Sequence, residues 1–111
     1  MGFAASQARL MMLTARKSDL ELRLQFNNQA RLRLANMMSG LMLTLSSQTT
    51  FENQAVTQRM QNVISYIQQQ DKMLEMEARR IESQHEAVST EIQAVRKVIQ
   101  KNIASTFKIM G

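Results

Sequence analysis

The stretch that decides the fold is residues 60–102, MQNVISYIQQQDKMLEMEARRIESQHEAVSTEIQAVRKVIQKN. One apolar row recurs in it every seven residues, and a second row follows members of the first after four residues. Two such rows form the seam of a coiled coil, because they keep one stripe of a helix facing its partner. The seam residues are Met60, Ile67, Leu74, Ile81, Val88 and Val95 in the first row and Ile64, Ala78, Ile92 and Ile99 in the second.

Polar residues interrupt this seam. Asp71 and His85 take the place of apolar residues in the second row, and Asn102 ends the pattern. Asp71 and His85 lie about 21 Å apart along one helix, so their partners must come from other helices or subunits. A polar seam residue commonly fixes register or helix number, and we prefer that role to a metal site or a proton switch. Beyond Asn102 the apolar stripe moves to a neighbouring face, with Ile103, Phe107 and Met110.

Few residues in the chain can form turns. It contains no proline, and its three glycines stand at positions 2, 40 and 111. Thr49 and Glu52 fit a capping box at the start of a helix, and residues 46–50, SSQTT, are typical of a loop before it. We predict an all-α fold: a long antiparallel hairpin of two helices with coiled-coil packing. A single domain, 1–111, would hold helix one at about 4–45, a loop at about 46–49 and helix two at about 50–109.

The first half allows two interpretations. Leucines alternate with polar residues over positions 20–26 and 32–34, which is the period of a strand. A helix accounts for more positions, and the intervening Glu, Arg and Gln residues favour it. Lys17, Asn27 and Arg31 interrupt the resulting stripe. The stripe consists of Leu10, Leu13, Leu20, Leu24, Leu34, Met38, Leu41 and Leu45.

Helix one also carries apolar residues outside this stripe, such as Met11 and Met12. One antiparallel partner cannot cover a helix that is apolar on more than one face, so the surplus indicates an interaction surface. The ten methionines suit such contacts, because the thioether adapts to irregular surfaces. We expect the seam, with Ile67, Leu74, Ile81, Val88 and Val95, to close the hairpin. We expect the contacts between copies to include Leu22, Phe26, Leu32, Met37, Met42 and Phe107.

The sequence offers little support for catalysis. Its glutamates alternate with arginines at helix-surface spacing, as in Glu75 and Arg79, and the chain has one histidine and no cysteine. There is no glycine-rich phosphate loop and no carboxylate and histidine cluster for a metal. We predict that the protein is not an enzyme and needs no cofactor or metal. Nucleic-acid binding is not expected either, because only four phenylalanines and one tyrosine could stack on bases.

The net charge of +5 lies mostly in the first half, where residues 1–50 carry six basic and two acidic side chains. Residues 34–51 are uncharged but only partly apolar, so they do not form a membrane-spanning helix. No secretory signal peptide is visible. We therefore expect either an extracellular or cell-surface location reached by a leaderless route, or a cytoplasmic one.

The opening, GFAASQARLMMLTARKSDLELRLQ, resembles the start of small bacterial helical proteins that begin with ASQARxxxLTARKSxxE. The close, IESQHEAVSTEIQAVRKVIQKNIASTFKIMG, is similar to their last helix. In size, composition and hairpin plan the chain also resembles the needle and filament subunits of type III secretion systems. That second likeness implies a subunit that is handled by export machinery or a chaperone and then polymerises by helix packing. It transfers no functional residues.

Three hypotheses follow. The first is a self-assembling structural subunit of a helical filament or tube, such as a secretion-associated or extracellular appendage, whose partner is the chain itself. The second is a coiled-coil adaptor or closed oligomer that binds a partner helix. The third, less favoured, is a membrane-active hairpin with MMSGLMLTL at its tip.

Overall fold

The computed structural model describes residues 2–47 and 54–110. These residues form two α-helices, α1 at Phe3–Ser47 and α2 at Gln54–Met110, and no strand. The helices contact each other along an antiparallel hairpin, which confirms the predicted fold class. The alternating leucines lie inside α1, where Leu20 is buried and Leu22 is exposed. Their alternation therefore reflects two sides of a helix and not two faces of a strand.

The end of α1 differs from the predicted boundary. The helix continues through Ser46 and Ser47, which the sequence placed in the loop. Ser46 Oγ donates a hydrogen bond to the Leu43 carbonyl at 3.0 Å, so the hydroxyl bonds to the preceding turn and does not stop the helix. The expected capping box of Thr49 and Glu52, and the start of helix two at about residue 50, lie outside the described residues. The single domain stays a prediction.

The chain divides into two compact units, and unit 1 comprises Met1–Leu24 and Arg80–Gly111. Its core joins two leucines of α1 to apolar side chains of the α2 seam. Spacings of three and four residues put these side chains on one face of each helix, and burying one stabilises the unit by about 1.5–3 kcal/mol. The core consists of Leu13, Leu20, Ile81, Val88, Ile92 and Val95, with Leu10, Leu24 and Ile99 packed against it.

In unit 2, Gln25–Arg79, fewer of the described apolar side chains of the seam are buried than in unit 1. Ile67 and Ala78 of α2 are buried, whereas Leu74 is only partly buried. On α1 the stripe residues of this unit, such as Leu34, are also partly buried. The predicted seam positions thus face inward in both units.

Candidate functional site

In unit 2, α1 exposes a group of large apolar side chains whose accessible fractions lie between 50% and 70%. We name this group the α1 surface. Phe26 and Leu32 are directed away from the seam, since their neighbours Asn27 and Arg31 occupy the inward positions. Four of the six residues predicted to contact other copies belong to this group. The α1 surface consists of Phe26, Leu32, Met37, Met42 and Leu43.

The other helix of unit 2 exposes a second group, which the sequence analysis missed. Tyr66, Met73 and Met76 are each 59–63% exposed. Their spacings of seven and three residues place them on one face of α2, and we name this group the α2 surface. The sequence contains a pattern that indicates this group, because Tyr66 and Met73 each stand directly before a residue of the first seam row.

The remaining two predicted contact residues belong to unit 1. Leu22 is 48% exposed on α1, and Phe107 is 72% exposed near the end of α2. Phe107 lines an open groove together with Phe3, Ile103 and Thr106. It is therefore part of a separate surface at the terminal end of unit 1.

Two polar contacts cross the seam of unit 2. The Arg31 guanidinium donates to Asp71 from Nε to Oδ1 at 3.0 Å and from Nη2 to Oδ2 at 3.4 Å. The hydrogen bond with Asp71 is the main cause that raises the pKa of Arg31 above its ordinary value. One helical turn away, Asn27 Nδ2 donates to the Leu74 carbonyl at 2.9 Å. These contacts favour one alignment of α1 against α2, because a shifted register would leave the polar groups facing apolar residues.

Unit 1 has cross-helix pairs of its own. His85 Nε2 lies 3.0 Å from Glu21 Oε1, and Arg9 Nη2 donates to Glu91 Oε2 at 3.2 Å. Asp71 and His85 thus both have partners on α1 of the same chain, which gives them a role in aligning the hairpin. Sequence reasoning could not name these partners, because the register depends on where the chain reverses.

Within residues 2–47 and 54–110, no group of three or more His, Asp or Glu side chains could hold a metal ion. Over the same residues, no helix has a segment long and apolar enough to cross a bilayer. Ion pairs run along and between the helices of the described chain, among them Glu75 with Arg79 at 2.8 Å and Asp19 with Arg23 at 3.1 Å.

An open groove also lies between the two helices of unit 2, and it is lined by Leu34, Ala35, Met38, Ile67, Gln68 and Asp71. Its wall is mostly apolar, and the Arg31 and Asp71 pair borders it.

No protein-family model matches the chain, and no curated protein or solved structure matches it either.

Proposed function

We propose that the protein is a structural subunit that assembles with copies of itself into a helical filament or tube. The observation that carries the proposal is that both helices of unit 2 expose large apolar side chains, in the α1 surface and the α2 surface. Soluble monomers scatter single apolar residues over their surface but rarely expose such groups of them. The two described helices leave them uncovered, and a second chain that packs against unit 2 would bury them.

The composition of the two surfaces favours an open assembly. The α1 surface presents Phe26 and Leu32, whereas the α2 surface presents Tyr66, Met73 and Met76. Because the surfaces differ, the contact that joins the α1 surface of one copy to the α2 surface of the next is heterologous. A heterologous contact that does not close into a ring produces a helical filament.

The expected energy of such a contact makes assembly depend on concentration. A fully buried large apolar side chain contributes about 1.5–3 kcal/mol, so a half-exposed one gains on the order of 1 kcal/mol when covered. At about 100° per residue, the five residues of the α1 surface spread over several sides of the helix. One contact therefore covers about half of them with the three of the α2 surface, and it gains on the order of 5 kcal/mol. Association costs about 4–15 kcal/mol. One contact is therefore weak, and growth requires that each copy uses both of its surfaces.

A second candidate function is a coiled-coil adaptor or closed oligomer. The groove between the helices of unit 2, with Leu34, Met38 and Ile67 in its wall, is a place where an apolar face of a partner helix could dock. This function predicts a particle of one fixed mass at all concentrations.

We infer the location of the assembly from the resemblance to needle and filament subunits. It would be a cell-surface or extracellular appendage, with export machinery or a chaperone as transient partners.

The proposal is tested with a Phe26→Asp variant and a matched Met12→Asp control. Met12 is 73% exposed on the same helix but lies in unit 1, outside both surfaces. Both proteins are examined by sedimentation and electron microscopy, and circular dichroism checks that they stay helical. We expect Phe26→Asp to abolish polymer and Met12→Asp to polymerise normally. Normal filaments from the Phe26→Asp variant would refute the proposal.

A further inference from the structure

The last turns of α2 carry charge of one sign. After Glu91, every charged residue of the described chain is basic. Lys97, Lys101 and Lys108 are exposed and follow one another after four and seven residues, which places them on one face of the helix. Glu91 itself pairs with Arg9, so its charge is balanced before this segment begins.

The same segment exposes its largest apolar side chains. Ile103 is 42% exposed, Phe107 is 72% exposed and Ile109 is 85% exposed. Ile99 is the last seam residue that packs against the core of unit 1. Phe3, near the start of α1, reaches the groove with Ile103 and Phe107 but leaves all three partly open. We name the segment from Arg96 to Ile109, together with Phe3, the basic end.

Two kinds of partner could cover the basic end. A second copy meeting it with its own basic end would bring lysines against lysines, and lysine is depleted in the cores of protein interfaces. An anionic lipid surface satisfies both features at once. Helices that lie in a membrane interface carry lysine beside or opposite a face of aromatic and aliphatic residues. Here Ile103 and Phe107 share one side of α2 at a spacing of four residues, and the three lysines lie on the adjacent side. Anionic headgroups attract clustered basic residues near the bilayer surface.

We propose that the basic end binds the surface of anionic lipid bilayers. Ile103 and Phe107 enter the boundary between headgroups and acyl chains, while Lys97, Lys101 and Lys108 contact the phosphates and serine carboxylates around them. Binding is peripheral, because no described helix can cross the bilayer. The site lies in unit 1 and is independent of the assembly surfaces of unit 2.

The test is flotation of the full chain with phosphatidylcholine vesicles, prepared with and without phosphatidylserine, at low and high salt. It is run on the natural chain and on the Phe26→Asp variant, so that lipid binding is measured with and without the α1 surface. We expect binding only to vesicles that contain phosphatidylserine, and weaker binding at high salt. Retained binding by the Phe26→Asp variant separates this site from the proposed assembly.

Two sets of variants identify the residues responsible. Replacing Lys97, Lys101 and Lys108 by glutamine should lower the partition coefficient about a hundredfold. Replacing Ile103 and Phe107 by glutamine should lower it about tenfold or more. The matched controls should bind normally: Met11→Gln with Met12→Gln for exposed apolar residues, and Arg33→Gln, Arg59→Gln and Lys72→Gln for charge.

Three results would overturn the proposal. The first is equal binding to vesicles with and without phosphatidylserine, and the second is normal binding by either set of basic-end variants. The third is a dimer of the Phe26→Asp protein, seen by light scattering, that disappears when Ile103 and Phe107 become glutamine. That result would assign the basic end to a second copy of the chain.

Discussion

Arg31 on α1 and Asp71 on α2 form a two-bond ion pair across the seam of unit 2, at distances of 3.0 Å and 3.4 Å. Both occupy positions where the heptad pattern calls for an apolar residue. An apolar residue fits several alignments, whereas a guanidinium and a carboxylate are satisfied together in one. The pair therefore fixes how far α1 is shifted along α2, and with it the position of every side chain on the two outward surfaces of this unit.

Replacing one member of the pair should lower the stability of the hairpin, and replacing both members should restore that stability. Asp71→Leu leaves the partly buried Arg31 without its acceptor, so we expect a lower midpoint of thermal unfolding. Arg31→Leu combined with Asp71→Leu makes the seam continuously apolar, and the midpoint should rise to the natural value or above it. Circular dichroism melts of the single and double variants measure this. Purely additive losses would show that the pair does not set the register.

Asn27 should lower the stability of the hairpin while it favours one register and one helix number. Its side chain is buried, and Oδ1 has no hydrogen-bond partner within the described chain. Asn27→Leu removes that unpaired acceptor and adds apolar contact, so the free energy of unfolding should rise by about 1–3 kcal/mol. The same change should permit other registers or helix numbers, visible as a broader mass distribution in light scattering. A less stable Asn27→Leu variant would contradict this account.

Leu20 and Leu22 offer a matched comparison, because they are the same residue type two positions apart. Leu20 is 3% exposed in the core of unit 1, and Leu22 is 48% exposed. Leu20→Ala should lower the free energy of unfolding by about 2–5 kcal/mol through the cavity it leaves. Leu22→Ala should change it by about 0.5 kcal/mol or less. Urea denaturation of both variants in a Phe26→Asp background avoids interference from assembly, and equal losses would contradict the predicted seam.

The seam could be predicted because it depends only on the spacing of residues within each helix. Spacings of three and four residues put side chains on one stripe of a helix whatever the rest of the chain does, so Ile81 and Leu20 were both placed inward. The polar interruptions at Lys17, Asn27 and Arg31 were visible for the same reason. Ser6 was missed, although it precedes Leu10 by four residues and is fully buried, because a small polar residue does not stand out in an apolar pattern.

The cross-helix partners could not be predicted, because each depends on the register between the helices. The spacing within either helix does not show that His85 lies near Glu21, or that Asp71 lies near Arg31. The α2 surface was missed for another reason. Tyr66, Met73 and Met76 belong to a helix whose seam accounts for most of its apolar residues, so the apolar pattern alone does not single them out.

A mixing experiment tests whether the assembly contact is heterologous. Phe26→Asp damages the α1 surface and leaves the α2 surface intact, whereas Met73→Asp does the reverse. Each variant alone should remain monomeric. An equimolar mixture at high concentration should give a one-to-one dimer in equilibrium with monomers, and the dimer cannot grow because only one intact pair of surfaces exists. Analytical ultracentrifugation of each variant and of the mixture provides the measurement. Homodimers of Met73→Asp would mean that α1 surfaces pair with each other.

The central claim, that this chain is built to polymerise through its outward apolar surfaces, is tested most directly on the natural protein. Purified, tag-free chain is examined by light scattering and negative-stain electron microscopy over a range of concentrations. The account predicts regular filaments whose mass grows as the concentration rises. One small species of constant mass at every concentration would contradict it and would favour the adaptor that binds a partner helix.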